Sequence, residues 1–261
     1  MTMSCGTVEW LQGKEKPSPL EAQVVLGTFT NRRTYLPFLL ESWAQFLSRV
    51  PLIVIQHGGT IREGMAILRQ NFLQSGRRYW VFLDDDIRFL SPGIVHDCVA
   101  AMIRNRWHLC TVYSTYRREY LEMDYEEARQ KALEWGEREV LWAPGYFIMV
   151  DSHFCGYRDV DWGIPHPNTA LDTTYTIGLR RDGYTLGLVP HLVYHQLKKA
   201  QPDPSVIERV NAYIQQEYGD FYWHSAHYQG NVYEWGRYGT DQELQEFREW
   251  VKSLSGDDCA G

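Results

Sequence analysis

Three consecutive carboxylates, Asp84, Asp85 and Asp86, are the part of the sequence best suited to chemistry. They follow the apolar run YWVFL at residues 79–83, which is typical of a buried strand. Carboxylates this close raise one another's pKa unless a cation neutralises them, and oxygen-rich clusters suit Mg²⁺ or Mn²⁺ holding a diphosphate. The triplet therefore predicts a divalent metal site at the end of a strand. The alternative is a polar loop in which Asp85 is solvated and a neighbouring carboxylate caps a backbone amide.

Alternating apolar runs and helical periodicity place the three aspartates in a sheet. The order through residue 115 is β-α-β-α-β-α-β, with strands within 21–31, 51–60, 79–86 and 109–116 and helices within 34–50, 61–76 and 91–105. Thr34 is a possible cap of the first helix, Gly76 ends the second, and Ser91 is the predicted N-cap of the third, with Pro92 at its first position. This order indicates a mostly parallel, helix-covered sheet, in which ligands bind beyond the carboxyl ends of the strands.

Composition excludes some classes of protein. The chain has 261 residues, of which 44% are hydrophobic, and a net charge of −7, so a protein that coats nucleic acid by general basic charge is not expected. No apolar segment approaches the ~20 residues that span a bilayer and no leader pattern is present, so we expect a cytoplasmic protein. The five scattered cysteines lack the spacing of a zinc site and are expected to be reduced, three of them as core residues.

Over roughly residues 22–197, the chain resembles the GT-A class of nucleotide-sugar glycosyltransferases, particularly the family 2-like group. Five segments carry the resemblance in the family's order: VVLGTFTNRRTYLPFLLESW, GMAILRQNF, YWVFLDDDIRF, WAPGYFIMVDSHFCGY and LDTTYTIGLRRDGYTLGLVPHLVYH. The resemblance implies a Rossmann-like GT-A α/β fold with Mn²⁺ or Mg²⁺ as cofactor. It also implies transfer of a hexose from a nucleotide-sugar donor to a hydroxyl acceptor, with inversion at the anomeric carbon.

The resemblance also assigns roles to individual residues. Asp84 and Asp86 match the two acids of the family's DxD motif, which implies that Asp84 faces the ribose or base and Asp86 binds the metal, while Asp85 is ambiguous on the donor side. His195, in LVYHQ, matches the C-terminal histidine that can complete the metal shell. Asp172 matches the general base that removes the proton of the acceptor hydroxyl, which is a poor nucleophile near neutral pH.

The match at the base is incomplete. Leu171 stands where the family usually has glutamate, and Asp172 could instead be an N-cap or first-turn acid of a helix. Asp159 and Asp161, in the preceding loop, remain rival bases.

Donor contacts are predicted from several loops. The second strand ends in QHGGT rather than the family's acidic turn, and Gln56 can both donate to and accept from a uracil edge, so a UDP-sugar is the default donor. Arg32 and Arg69 offer forked donors for a diphosphate, and Gly145 lets the backbone approach the donor sugar. The predicted donor contacts are therefore Thr28, Thr30, Arg32, Gln56, Arg69, Asp84, Asp85 and Gly145.

The predicted domain organisation is one GT-A catalytic domain over 1–200, with a nucleotide-sugar half at 22–115 and an acceptor half at 141–200. The charged stretch 117–140 reads as an amphipathic helix that covers the sheet or flanks the cleft. Residues 201–261 form a C-terminal extension rich in aromatic residues, expected to pack onto the same domain, with base stacking as the alternative.

Two other functions stay open. One is a catalytically inactive nucleotide or sugar binder on the same fold, favoured if Leu171 and Gln56 reflect loss of activity. The other is a magnesium-dependent phosphohydrolase of the haloacid dehalogenase type, which Ile87 and Arg88 do not support because that class needs threonine just after its second aspartate. The acceptor is of unknown class; a hydroxymethylated DNA base is an alternative that the dispersed basic pairs do not favour.

Overall fold

The computed structural model describes residues 7–30, 35–115, 119–140, 142–195 and 203–228. These ranges form one nine-stranded sheet flanked by helices on both faces. The strands are β1 (Thr7–Leu11), β2 (Val24–Thr30), β3 (Leu52–Gln56), β4 (Tyr79–Leu83), β5 (Ile87–Phe89), β6 (Leu109–Thr115), β7 (Arg138–Val140), β8 (Phe147–Asp151) and β9 (Leu186–His195). The helices are α1 (Leu36–Phe46), α2 (Ile61–Ser75), α3 (Ile94–Asn105), α4 (Glu119–Glu122), α5 (Tyr125–Trp135), α6 (Ser152–Cys155), α7 (Leu171–Arg181) and α8 (Pro204–Tyr228).

The sheet has the order β1-β3-β2-β4-β8-β6-β9-β5, and β7 pairs with β9 off this path. Strands β2, β3, β4, β6 and β9 run in one direction, and β1, β5, β7 and β8 run in the other. The predicted α/β class is confirmed, but the sheet is mixed rather than mostly parallel, because β1, β5, β7 and β8 run against the other strands, with β8 between the third and fourth predicted strands. The chain passes from β3 across β2 to β4, so the carboxyl ends of β2 and β4 form a topological switch point.

The strands are apolar on both faces because helices cover both faces. Val25 of β2 contributes to one core layer, beneath α2, α5 and α7, whereas its neighbours Val24 and Leu26 contribute to the other, beneath α1 and α3. Gly27 is required where α2 crosses β2, since a Cβ atom there would lie 2.3 Å from Leu68 Cδ1. The central strands are therefore held rigidly beneath the loops that follow them.

Helix ends show where local signals hold and where they fail. Gly76 ends α2 in the left-handed conformation at φ 63°, as predicted. The predicted N-cap of α3 is wrong: Gly93 occupies that position at φ 82°, and the helix begins at Ile94. Ser91 instead forms a buried hydrogen bond with His191, which lies 100 positions later in the sequence. Thr34 lies outside the described residues.

Residues 119–140 form α4, α5 and β7 rather than one helix, and α5 packs against β9, as expected for a segment that covers the sheet. Cys98, Cys110 and Cys155 are buried free thiols, as predicted. In the C-terminal extension, α8 is interrupted at Gly219 and packs through Val210, Ile214 and Tyr218. The aromatic residues of the extension, from Phe221 onward, lie outside the residues whose side chains are described.

Candidate active site

A cleft of about 190 Å³ opens beyond the carboxyl ends of β2 and β4. Its polar lining includes Asp84, which follows β4, His195, which ends β9, and Asp172, in the first turn of α7. A second recess of about 80 Å³ adjoins it, and the two share Phe29, Ile61 and Asp84. The fold therefore brings three predicted site residues, far apart in sequence, to one cleft at the switch point.

The three aspartates have different environments. Asp84 lines both cavities, and its side chain is 37% exposed. Asp85 is buried, and its Oδ2 accepts a hydrogen bond of 2.6 Å from the hydroxyl of Thr30 at the end of β2. Asp86 is also buried, with 2% exposure. The polar-loop alternative fails on Asp85, which is not solvated but ties the acidic loop to β2.

Asp84, Asp86 and His195 form a group that could hold a metal ion. Their ligand atoms lie within 4.8 Å of one another, and His195 Nε2 lies 3.5 Å from Asp84 Oδ2 and 3.3 Å from Asp86 Oδ1. Burial by itself lowers the pKa of His195, but hydrogen bonds to the two carboxylates and their charge raise it to about 9. Two carboxylates and one imidazole are ligand types that suit Mn²⁺ or Mg²⁺, and atoms within 4.8 Å of one another are close enough to surround one ion.

Asp172 is the acid that lines the same cleft from its other side. Its Oδ2 accepts a 2.8 Å hydrogen bond from the backbone N–H of Gly145, and a Cβ atom at Gly145 would lie 3.3 Å from Asp172 Cβ. Burial raises the pKa of Asp172, against the lowering effect of the Thr173 amide. A carboxylate whose pKa is raised by burial is a better proton acceptor than a solvated one.

The rival acids lie elsewhere. Asp161 accepts hydrogen bonds from the hydroxyls of Tyr213 and Tyr218 of α8 and so anchors the extension. Asp159, 53% exposed, caps the backbone of the next residue. Neither lines the cleft, whereas Leu171 is packed in the core and contributes to the lining of the cleft. The geometry therefore favours Asp172 over both rivals as a base.

Three other predicted donor contacts, Thr28, Gln56 and Arg69, line neither cavity. Thr28 is fully buried in β2 and lines neither cavity. Arg69 donates to the backbone carbonyls of Gly156, Tyr157 and Arg158, so it fastens a loop rather than facing the cleft. Gln56 ends β3 outside both cavity linings. Arg32 lies outside the described residues.

Several residues of the site were not foreseen. His57, buried to 5% exposure, lines the smaller recess. Asn168 lines the larger cavity and accepts a 2.7 Å hydrogen bond from the N–H of Ile61, the first residue of α2. Tyr146 lies 5.4 Å from His195, ring centre to ring centre. Tyr146 and His57 had a local signal, since they directly follow Gly145 and Gln56, whereas the Asn168 contact spans 107 positions.

Comparison with known proteins shows the class of fold. No family model and no curated protein matches the sequence. Among solved structures, GalNAc-T7, determined with UDP, GalNAc and Mn²⁺, is 11% identical with a TM-score of 0.54 over 88% of this chain, which spans 54% of that chain. The chain therefore has the GT-A fold, as its sequence predicted.

Two further structures are similar at lower TM-scores. The mannosyltransferase PcManGT of Pyrobaculum calidifontis, in complex with GDP-Man and Mn²⁺, is 10% identical with a TM-score of 0.47, covering 94% of this chain and 86% of that one. Protein A197 from STIV is 12% identical with a TM-score of 0.46, covering 67% and 86%. Within the described residues, the helices are too short or too polar to cross a bilayer.

Proposed function

We propose that the protein transfers a hexose from a nucleoside diphosphate sugar, by default a UDP-sugar, to a hydroxyl acceptor. The observation that carries this proposal is that Asp84 and His195 line the same cleft as Asp172 at the switch point of a GT-A fold, with the buried Asp86 3.3 Å from His195. A metal-binding group and a separate carboxylate that can accept a proton are the two parts that such a transfer needs. Of the described carboxylates, those lining the larger cavity are Asp84 and Asp172.

The donor would lie along the two connected cavities. Asp86 and His195, with Asp84, would hold Mn²⁺ or Mg²⁺, which supplies positive charge to the departing diphosphate. Asp84, which lines both cavities, would accept a hydrogen bond from a ribose hydroxyl. The smaller recess is proposed for the nucleoside end, and Gly145 for the close approach to the sugar.

The reaction would be a direct displacement. Asp172 accepts the proton of the acceptor hydroxyl as its oxygen bonds to the anomeric carbon, and the bond from that carbon to the diphosphate oxygen breaks with its electron pair. Direct attack assisted by one base inverts the anomeric configuration. Burial of Asp172 favours this role because it raises the proton affinity of the carboxylate.

The test is nucleotide release from UDP-, GDP- and dTDP-sugars in Mn²⁺, Mg²⁺ or EDTA, with carbohydrate, protein and hydroxymethylated-DNA acceptors. We expect metal-dependent release that is lost in Asp86→Ala and Asp172→Asn. Asp159→Ala, which removes an exposed carboxylate outside the cavity, is the matched control and should retain activity. If the protein binds a nucleotide-sugar but releases no nucleotide with any of these acceptors, the inactive binder is favoured. Nucleotide release that is insensitive to EDTA and to Asp86→Ala would refute the proposal.

A further inference from the structure

A buried polar cluster lies outside the cleft, centred on His191 of β9. His191 has no exposed surface; its Nδ1 lies 3.1 Å from the hydroxyl of Ser91, and its Nε2 lies 2.7 Å from Asp97 Oδ2. Arg129 of α5 donates to the same Asp97 oxygen at 2.6 Å and also to the carbonyl of Pro190. We call Ser91, Asp97, Arg129 and His191 the His191 cluster.

The ring of His191 has a defined tautomer. Burial lowers its pKa, so the imidazole is neutral at neutral pH. Asp97, whose pKa is lowered by its hydrogen bond to His191 and by Arg129, is a carboxylate that can only accept, so Nε2–H donates to it. Nδ1 therefore accepts from the hydroxyl of Ser91, so both hydrogen bonds of the His191 ring have a defined donor and acceptor.

The cluster has the residue types of a nucleophile triad but not its surroundings. Ser91 is 3% exposed, and the four residues line neither of the two cavities described above. A nucleophile needs access to a substrate. The cluster therefore has a different task.

That task is indicated by a bulge in β9. Val112 of β6 pairs with Val189, but the next residue, Tyr113, pairs with Leu192, so Pro190 and His191 have no opposite residue on β6. Bulges bend a strand and re-aim the side chains beyond them. Before this bulge, β9 pairs with β7 on its other side, and after it β9 pairs with β5.

The strand that pairs with β9 after the bulge is β5, which directly follows Asp86 of the proposed metal site. Ile87, the residue after Asp86, is paired with His195, and Phe89 is paired with Val193. The register of β5 on β9 thus sets the 3.3 Å separation of Asp86 and His195. His191 is hydrogen-bonded to Ser91, two residues beyond the end of β5, so it links the bulge of β9 to the segment that follows β5.

We infer that His191 is a positioning residue that aims His195 at Asp86 through the bulge of β9. The inference rests on the proposed function, in which these residues hold the metal. A one-residue slip of a strand turns every side chain to the opposite face, so a register pinned by directional hydrogen bonds is needed where a ligand must face its partner.

The experiment measures Mn²⁺ affinity by electron paramagnetic resonance in wild type, His191→Leu and His191→Gln. We expect His191→Leu to weaken Mn²⁺ binding about tenfold, as loss of a supporting partner does at other metal sites. His191→Gln, which can keep the bond to Asp97, should recover part of the affinity. The matched control is His108→Leu: His108 is a partly buried histidine hydrogen-bonded to Thr185 at 2.9 Å, away from β5, and its loss should leave affinity within about twofold.

Crystal structures of the same variants give a readout that needs no metal. His191→Leu should lengthen the separation of His195 Nε2 and Asp86 Oδ1 beyond 3.3 Å, and His108→Leu should not. An unchanged separation overturns the inference, whatever the affinities. If wild type fails to bind Mn²⁺, the proposed metal site fails, and the crystal structures still decide the positioning role. If His191→Leu does not fold, Ser91→Ala, which removes one hydrogen bond, replaces it in both measurements.

Discussion

Replacing Asp172 with asparagine should lower kcat for sugar transfer by about 10²- to 10⁴-fold, the contribution of a positioned general base. This loss corresponds to about 3–5 kcal/mol of transition-state stabilisation. The fold should be retained, because the amide oxygen of asparagine can accept the 2.8 Å hydrogen bond that Gly145 now donates to Asp172. The KM for the donor should change by less than roughly threefold, since the proposed metal-binding group is untouched.

The pH dependence of kcat is an independent test of Asp172 as the base. Burial raises the pKa of Asp172 above 3.8, and the charge of Asp84 raises it as well, against the lowering effect of backbone N–H groups. The base acts in its deprotonated form, so kcat should rise with pH through this raised pKa and level off above it. A cation bound at Asp84 would weaken the effect of Asp84 on the pKa of Asp172 but would leave the effect of burial on that pKa. Asp172→Asn should abolish the rise.

The assay is nucleotide release at saturating donor and metal, with Asp159→Asn as the control for loss of one carboxylate. Asp159 is 53% exposed and does not line the cavity, so its variant should match wild type. A loss below tenfold in Asp172→Asn, or an equal loss in Asp159→Asn, would refute the assignment of the base.

Three further predictions concern the scaffold. Gly27→Ala places a Cβ 2.3 Å from Leu68 Cδ1 and should lower the free energy of unfolding by about 1–3 kcal/mol in urea titrations; an unchanged midpoint would contradict the packing. Ala170, at φ 59° beside the cleft, should tolerate glycine with no loss or a gain of up to about 1 kcal/mol, whereas a loss of that size would argue against the left-handed backbone. His191 is held neutral with a pKa below 6.5, so stability should fall as pH drops below 6.5, where the unfolded imidazole takes up a proton; His191→Gln should flatten this decline, measured by unfolding at pH 7 and 5.5.

The acidic triplet and the elements around it could be predicted because their signals are local. An apolar run followed by three carboxylates identifies β4 and its end, and Gly76 marks the end of α2. The resemblance to GT-A enzymes added the order of the later segments, which brought His195 to the end of the last strand of the sheet. These features could be predicted because each depends on a few neighbouring residues.

The features that were missed depend on contacts between distant segments. The segment FIMVD has no pattern that shows β8 inserting antiparallel between β4 and β6. Ser91 has the right type and spacing for a cap, but a hydrogen bond to His191 competes for its hydroxyl. Arg69 matches a family motif, yet three backbone carbonyls near residue 157 occupy its donors. Local sequence specifies what a side chain can do, and the packing of remote segments decides which of those options is used.

The most direct test of the proposed metal site is the position of Mn²⁺ in crystals soaked with Mn²⁺ and UDP, located by anomalous scattering. We predict a peak about 2.2 Å from Asp86 and His195, next to the diphosphate, that is absent from Asp86→Ala crystals. Mn²⁺ bound away from Asp84, Asp86 and His195, or UDP bound outside the cleft that contains Asp172, would contradict the account.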